Sequence, residues 1–197
     1  MVLLGVVAVI IAIVLIIVRP GSSQGDDSDA APQGTPSATP RATDDPATPP
    51  PTVIPTEPTA ADGDACAERD VLVEAVTDKS VYEPGEQPAL SVTITNTGKN
   101  VCVLNAGTKA QVFTITSGTE VYWLSTDCQV DPVDAEVSLT PGTPISSSVP
   151  IVWDRTRSSA DTCAGPREAV PAGGASYHLS VTVDGFASES TKQFQLY

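Results

Sequence analysis

The sequence predicts an all-β domain behind an apolar N-terminal segment, and three observations carry that expectation. From Cys66 onward, apolar and polar residues alternate with period two over several stretches. Turn-forming Pro, Gly, Asn and Asp clusters separate those stretches at short intervals. Beyond the N-terminal segment, no stretch combines helical periodicity with capping signals. Seven to eight short strands over some 130 residues predict an antiparallel immunoglobulin-like β-sandwich at residues 65–197.

The chain opens with MVLLGVVAVIIAIVLIIV, eighteen residues without a charge. At about 1.5 Å per residue this run nearly spans a hydrocarbon core of about 30 Å, so residues 1–19 are expected to form a single transmembrane anchor. A cleaved signal peptide would show a basic start and a small-x-small cleavage site, and neither is present. Arg19 is the one positive charge beside the anchor, and the positive-inside rule alone would keep the bulk of the chain in the cytoplasm. Four cysteines in a small β-rich domain weigh the other way, toward an oxidising compartment. The expectation is a single-pass protein of the cell membrane with its C-terminal domain extracytoplasmic.

Residues 20–64 hold ten of the eighteen prolines among Thr, Ser, Ala and Asp, and offer almost nothing to bury. A disordered, polyproline-biased linker is expected, on the order of 40 Å as a coil and about 140 Å if fully extended. The net charge of −14 is spread over both parts. The linker has eight acids against one base, and residues 65–197 have sixteen against eight. Such acidity disfavours nucleic acid and anionic lipid head groups as partners.

Within the domain, ALSVTIT puts Leu90, Val92 and Ile94 on one face, and SYHLSVTVDG does the same for Tyr177, Leu179, Val181 and Val183. PISSSVPIVWD reads as one strand with Ile145, Val149, Ile151 and Trp153 inward. Further strands are expected at 71–76, 111–116, 119–125 and 191–197. TEVYWLS follows a Ser117-Gly118 turn, and alternation sets Val121 and Trp123 on one face, with Tyr122 and Leu124 on the other. Core packing is the expected role, and Tyr122 and Trp123 are the candidate contact surface should one face remain open.

Cys66, Cys102, Cys128 and Cys163 contain no C-x-x-C pair, and the chain has a single histidine, a poor donor set for zinc. Two disulfides are expected, with Cys66–Cys102 and Cys128–Cys163 preferred on strand positions among three possible pairings. Each would close a loop of about 35 residues, worth about 3–4 kcal/mol in the chain-entropy model. His178 alternates opposite Tyr177 and Leu179, and no serine sits in a G-x-S-x-G elbow. Asp127, Asp131, Asp134 and Glu136 lack the spacing of a calcium loop, and Pro132 interrupts them. No catalytic residue, metal site or cofactor is expected, and the chain reads as a non-enzyme.

Five stretches in order, LSVTITNTGKNV, ITSGTEVYWLS, LTPGTP, VPIVWD and VPAGGASYHLSVTV, resemble the bacterial intracellular proteinase inhibitor (BsuPI-type) domain, over about residues 71–197. The cysteines and the insertion in PAGGASY depart from that pattern. The resemblance implies an immunoglobulin-like fold and inhibition of a serine protease, although no reactive-site loop matches residue by residue. The expected class is therefore a membrane-tethered binding module of the bacterial cell envelope, its partner an envelope protein, a glycan or a protease. The alternatives are a serine-protease inhibitor and, third, a hydrolase.

Overall fold

The computed structural model describes residues 52–59 and 61–197, which fall within one compact unit. The expected anchor, residues 1–19, and the linker up to residue 51 lie outside the described residues. Among the described residues, no helix is long and apolar enough to cross a membrane.

The described chain is all-β apart from two short 3-10 turns. The strands are β1 (Val53–Ile54), β2 (Val71–Thr77), β3 (Val81–Tyr82), β4 (Ala89–Asn96), β5 (Cys102–Asn105), β6 (Gln111–Ser117) and β7 (Glu120–Leu124). They continue as β8 (Glu136–Leu139), β9 (Ile145–Ser147), β10 (Ile151–Val152), β11 (Ala175–Val183), β12 (Phe186–Ala187) and β13 (Lys192–Leu196). One sheet runs β1-β9-β4-β10 with β2 on the other side of β4. The second runs β3-β13-β11-β6-β7, with β12 returning on β11, and β5 and β8 form a separate ladder. The sheets are mixed, because β1 pairs with β9 and β3 with β13 in parallel, a correction to the purely antiparallel expectation.

The central strands follow the period-two rule. Leu90, Val92 and Ile94 of β4 are fully buried, as are Leu179 and Val183 of β11, with Tyr177 and Val181 at 1% exposure. Between the sheets they enclose an aromatic cluster. The Trp153 ring stands edge-on to Tyr177 at 5.6 Å and to Phe194 at 6.1 Å, and Tyr82 stands edge-on to Phe194 at 5.8 Å.

Two local patterns depart from the sequence expectation. PISSSVPIVWD is two strands, not one. Pro150 has no N–H for a ladder, so the chain leaves the sheet after Ser147 and exposes Val149 at 69% before β10 resumes. The boundary drawn at residue 64 also moves. Val53 and Ile54, counted with the linker by composition, form β1 on the edge of β9, and Ile54 is 4% exposed.

Disulfides join Cys66 to Cys102 and Cys128 to Cys163, and no described cysteine is free. Asp184-Gly185 turns β11 into β12, with both residues at positive φ (50° and 85°), a conformation that Asp tolerates and Gly adopts freely.

Burial of the aromatic cluster has a consequence at alkaline pH. The Tyr82 hydroxyl donates to Asp78 Oδ1 at 2.6 Å, and the Tyr177 hydroxyl donates to the Pro171 carbonyl at 2.7 Å. Burial first, then the Asp78 carboxylate, pushes the Tyr82 phenol up to about 12. Burial and the neighbouring Tyr122 do the same for Tyr177, also to about 12. Both phenols bind their protons more tightly in the folded chain. Their contribution is complete below the ordinary tyrosine value near 10 and is lost as pH rises from about 10 through about 12. Ultraviolet titration should find two of the four tyrosines ionising near pH 12 or together with unfolding, and Tyr82→Phe should remove one of these late steps.

Candidate functional site

The sequence TEVYWLS sits where the fold departs most from simple alternation. Ser117 pairs with Glu120 and Thr116 with Val121, but Ile115 then pairs with Trp123, so the register slips by one residue between Ile115 and Thr116. Tyr122 is the extra residue of a β-bulge. The slip places Tyr122 and Trp123 together on the core side. Trp123 is 8% exposed, and the half-buried Tyr122 ring stands edge-on to Tyr177 at 5.4 Å. Val121, expected to share a face with Trp123, is instead half exposed at 50%. The alternation expected for these four residues fails here because one extra residue reverses every side chain beyond it.

β7 is the last strand of its sheet, and its outer edge is covered by the chain from Asp154 to Val170. The Ser158 N–H donates to the Tyr122 carbonyl at 3.0 Å, and the Leu124 N–H donates to Ser158 Oγ at 2.8 Å. Ser158 Oγ in turn donates to Asp127 at 2.5 Å. The two arms of the excursion are joined by Arg157 N–H to Glu168 O at 2.8 Å and Val170 N–H to Arg155 O at 2.9 Å. The Cys128–Cys163 disulfide fastens its tip to the segment that follows β7.

Arg157 closes the remaining face of Tyr122. Its guanidinium lies 4.1 Å from the ring centroid, with Glu120 at 2.9 Å and Glu168 at 3.7 Å. Hydrogen bonding to Arg157 holds the Glu120 carboxyl below its ordinary range, and Glu120 raises the guanidinium in return. Tyr122 is therefore packed between the core and an arginine.

Next to it an open groove of about 280 Å³ separates β7 from β10. Trp123, Leu124, Ser125 and Cys128 line one side, and Ile151, Val152, Asp154 and Arg167 line the other. Arg167 is ion-paired with Asp154 at the rim, and Val152 is 60% exposed. Arg167 also borders a second cavity of about 340 Å³, which includes Arg157, Ser158, Ser159 and Thr162. A lining that mixes Trp123, Leu124, Ile151 and Val152 with an arginine–carboxylate pair and the Ser125 hydroxyl suits an amphipathic ligand held by packing and a few directed polar contacts.

The other residues singled out by sequence lie apart from this groove. His178 is on β11, where Nδ1 is 3.1 Å from Thr191 Oγ1, with Thr116 and Gln193 as its strand neighbours. The four acids are dispersed. Asp127 accepts from Ser158, Asp134 accepts from Asn105 and Lys109, and Glu136 accepts weakly from the Ala61 N–H at 3.4 Å. Asp131 lies in the loop after Cys128 at φ 48°. Among the described residues no three metal-ligating side chains come together. No sequence pattern points to Arg157, Arg167 or Asp154, since only the fold brings residues thirty or more positions downstream onto β7.

The sequence matches no family model and no curated protein. Among solved structures it is similar to a β-glucosidase from Erythrobacter marinus (14% identity, TM-score 0.38) over 64% of this chain and 15% of that one. It is also similar to the sporulation control protein Spo0M of Bacillus subtilis (13% identity, TM-score 0.35), over 64% of this chain and 49% of that one. The chain thus spans less than half the length of either.

Proposed function

We propose that the chain is a membrane-tethered binding module of the bacterial cell envelope, without catalysis of its own. On this reading residues 1–19 are the anchor, the proline-rich linker carries the domain outward, and the domain is an immunoglobulin-like sandwich. The groove between β7 and β10 carries the proposal, since its lining brings the apolar side chains of Trp123, Leu124 and Ile151 together with the Asp154–Arg167 pair. Two disulfides, stable in an oxidising compartment, support the extracytoplasmic placement.

Inhibition of a serine protease, implied by the BsuPI resemblance, is the second reading, and one loop favours it. Val130 is 80% exposed, the highest value among the large apolar residues described. Its loop is fastened by Cys128, by Gln129 Nε2 donating to Thr108 O at 2.7 Å, and by Val133 N–H donating to Thr108 Oγ1 at 3.0 Å. A pre-organised loop that presents an aliphatic side chain suits insertion into a pocket of a partner.

One experiment tests both readings. A photo-crosslinking residue is placed in intact cells at Val152, at Val130, or at the control position Val101, which is 55% exposed and away from the groove. A discrete adduct at Val152 alone supports the groove, and an adduct with a protease at Val130 supports inhibition. Adducts no different from those at Val101 overturn both.

A further inference from the structure

The segment Thr52–Thr59 has the composition of the linker but lies on the domain as a strap. Its contacts are few and sit at two points. At the first, β1 runs parallel to β9 with Val53 opposite Ser146 and Ile54 opposite Ser147. The Ser146 N–H donates to Thr52 O at 3.2 Å, and Ser148 Oγ donates to Ile54 O at 3.1 Å. Ile54 is the anchor at 4% exposure, beside a small apolar pit of about 60 Å³ that Phe113, Val149 and Ile151 also line. At the second, the Glu136 N–H donates to Thr59 O at 3.1 Å, and Thr59 Oγ1 donates to Glu136 O at 3.0 Å.

Past Asp64 the attachment becomes permanent. The Cys66 N–H donates to Val103 O at 3.0 Å, the Val103 N–H donates to Asp64 O at 2.9 Å, and the Cys66–Cys102 disulfide locks the pair. The chain is thus divided into a strap held by one buried side chain and a handful of hydrogen bonds, and a body it cannot leave.

We propose that the β9 edge and the Ile54 pit form an interaction surface for a second copy of this chain, which reaches it by strand exchange. The strap of each copy takes the place of the other's, so that every β1–β9 and Thr59–Glu136 contact is kept but runs between chains. The ligand this edge fits is the chain's own: an extended Val-Ile-Pro segment already fills it, and a second copy brings the same segment. Exchange creates and removes no contact at the edge, so concentration decides between the two forms. The short covalent connection gives the intrachain strap an effective concentration on the order of mM. Single chains therefore dominate in dilute solution, and exchanged pairs form where chains are crowded. The connection from Thr59 to Asp64 reaches at most about 17 Å when extended, which holds the two bodies of a pair close together. This proposal rests on the fold of the domain and is independent of its location.

The test uses the full chain in detergent micelles carrying Val53→Cys and Ser146→Cys. Facing residues of paired strands lie about 5 Å apart, within disulfide range, so oxidation traps whichever chain supplies the strap. The expected result is a covalent monomer at μM concentration and a covalent dimer that rises to a comparable share near mM. Adding Ile54→Asp, which makes the strap leave the pit, should lower the yield of both products at least tenfold. A covalent monomer alone at every concentration overturns the proposal. So does a dimer whose yield is unchanged by Ile54→Asp, since it would form without the seated strap.

Discussion

Trp153→Ala is expected to cost about 3–5 kcal/mol, enough to abolish most of the stability of a domain of ordinary size. Trp153 is 1% exposed and is the largest fully buried side chain among the described residues. It contacts both sheets. It follows β10 of the first sheet and its ring stands edge-on to Tyr177 of β11 and Phe194 of β13 in the second. Its indole N–H donates to Thr156 O at 3.0 Å, which fixes the start of the excursion that later covers β7. Replacement by alanine removes the apolar area and leaves a cavity that neighbours on two sheets cannot close. It also frees the Thr156 carbonyl. Denaturant unfolding followed by circular dichroism measures the loss. Trp153→Phe should cost less than half as much, because the ring is kept and only the indole bond and some volume are lost. A cost below about 1 kcal/mol for the alanine variant would mean that the two sheets are not joined through this residue.

How far the fold is legible in the sequence depends on how many residues each element uses. β4 and β11 are eight and nine residues long, and both show unbroken alternation because one face meets the opposite sheet along their whole length. β1, β3 and β12 have two residues each, too few for any period. β1 also lies in a Pro- and Thr-rich stretch whose composition predicts no burial, and its strand exists because β9 offers an edge and the core offers room for Ile54. β5 and β8 follow the same logic, since each is half of a four-residue ladder that needs its partner to be seen.

The candidate site was half legible. Tyr122 and Trp123 stand out as aromatic neighbours in a strand, but alternation puts them on opposite faces. The bulge that turns both inward is a property of the pairing with β6, not of β7. The cover over Tyr122 comes from Arg157, thirty-five positions downstream, and no local pattern links the two. The groove that remains open is a product of three segments whose sequences carry no shared signal.

Asn96 shows the same limit at one residue, and its replacement by Asp is the second large effect expected. The sequence marks Asn96 only as the start of an NTGKN turn. In the fold it is fully buried and joins that turn to β8. Its Nδ2 donates to Asn100 O and Leu139 O, each at 2.8 Å, and its Oδ1 accepts from the Gly98 N–H at 2.8 Å. Asp keeps the shape and the bond to Gly98. However, it replaces two donated hydrogen bonds with a carboxylate oxygen facing two carbonyl oxygens. Leaving those carbonyls unpaired costs about 1–3 kcal/mol each, and burying the charge adds to this, so a loss of about 3–5 kcal/mol is expected at pH 7. Asn96→Ala, which orphans the same groups without a charge, should lose less. The charge gives the Asp variant its own signature. Burial and the facing carbonyls raise the pKa of its carboxyl above the ordinary value, so the folded form binds a proton that the unfolded form has released. As pH falls toward that ordinary value near 4, the carboxyl becomes a donor to one of the two carbonyls and part of the lost stability returns. Asn96→Ala lacks that group and should show no such recovery. Parallel unfolding curves at pH 7 and pH 5 for both variants separate the two costs.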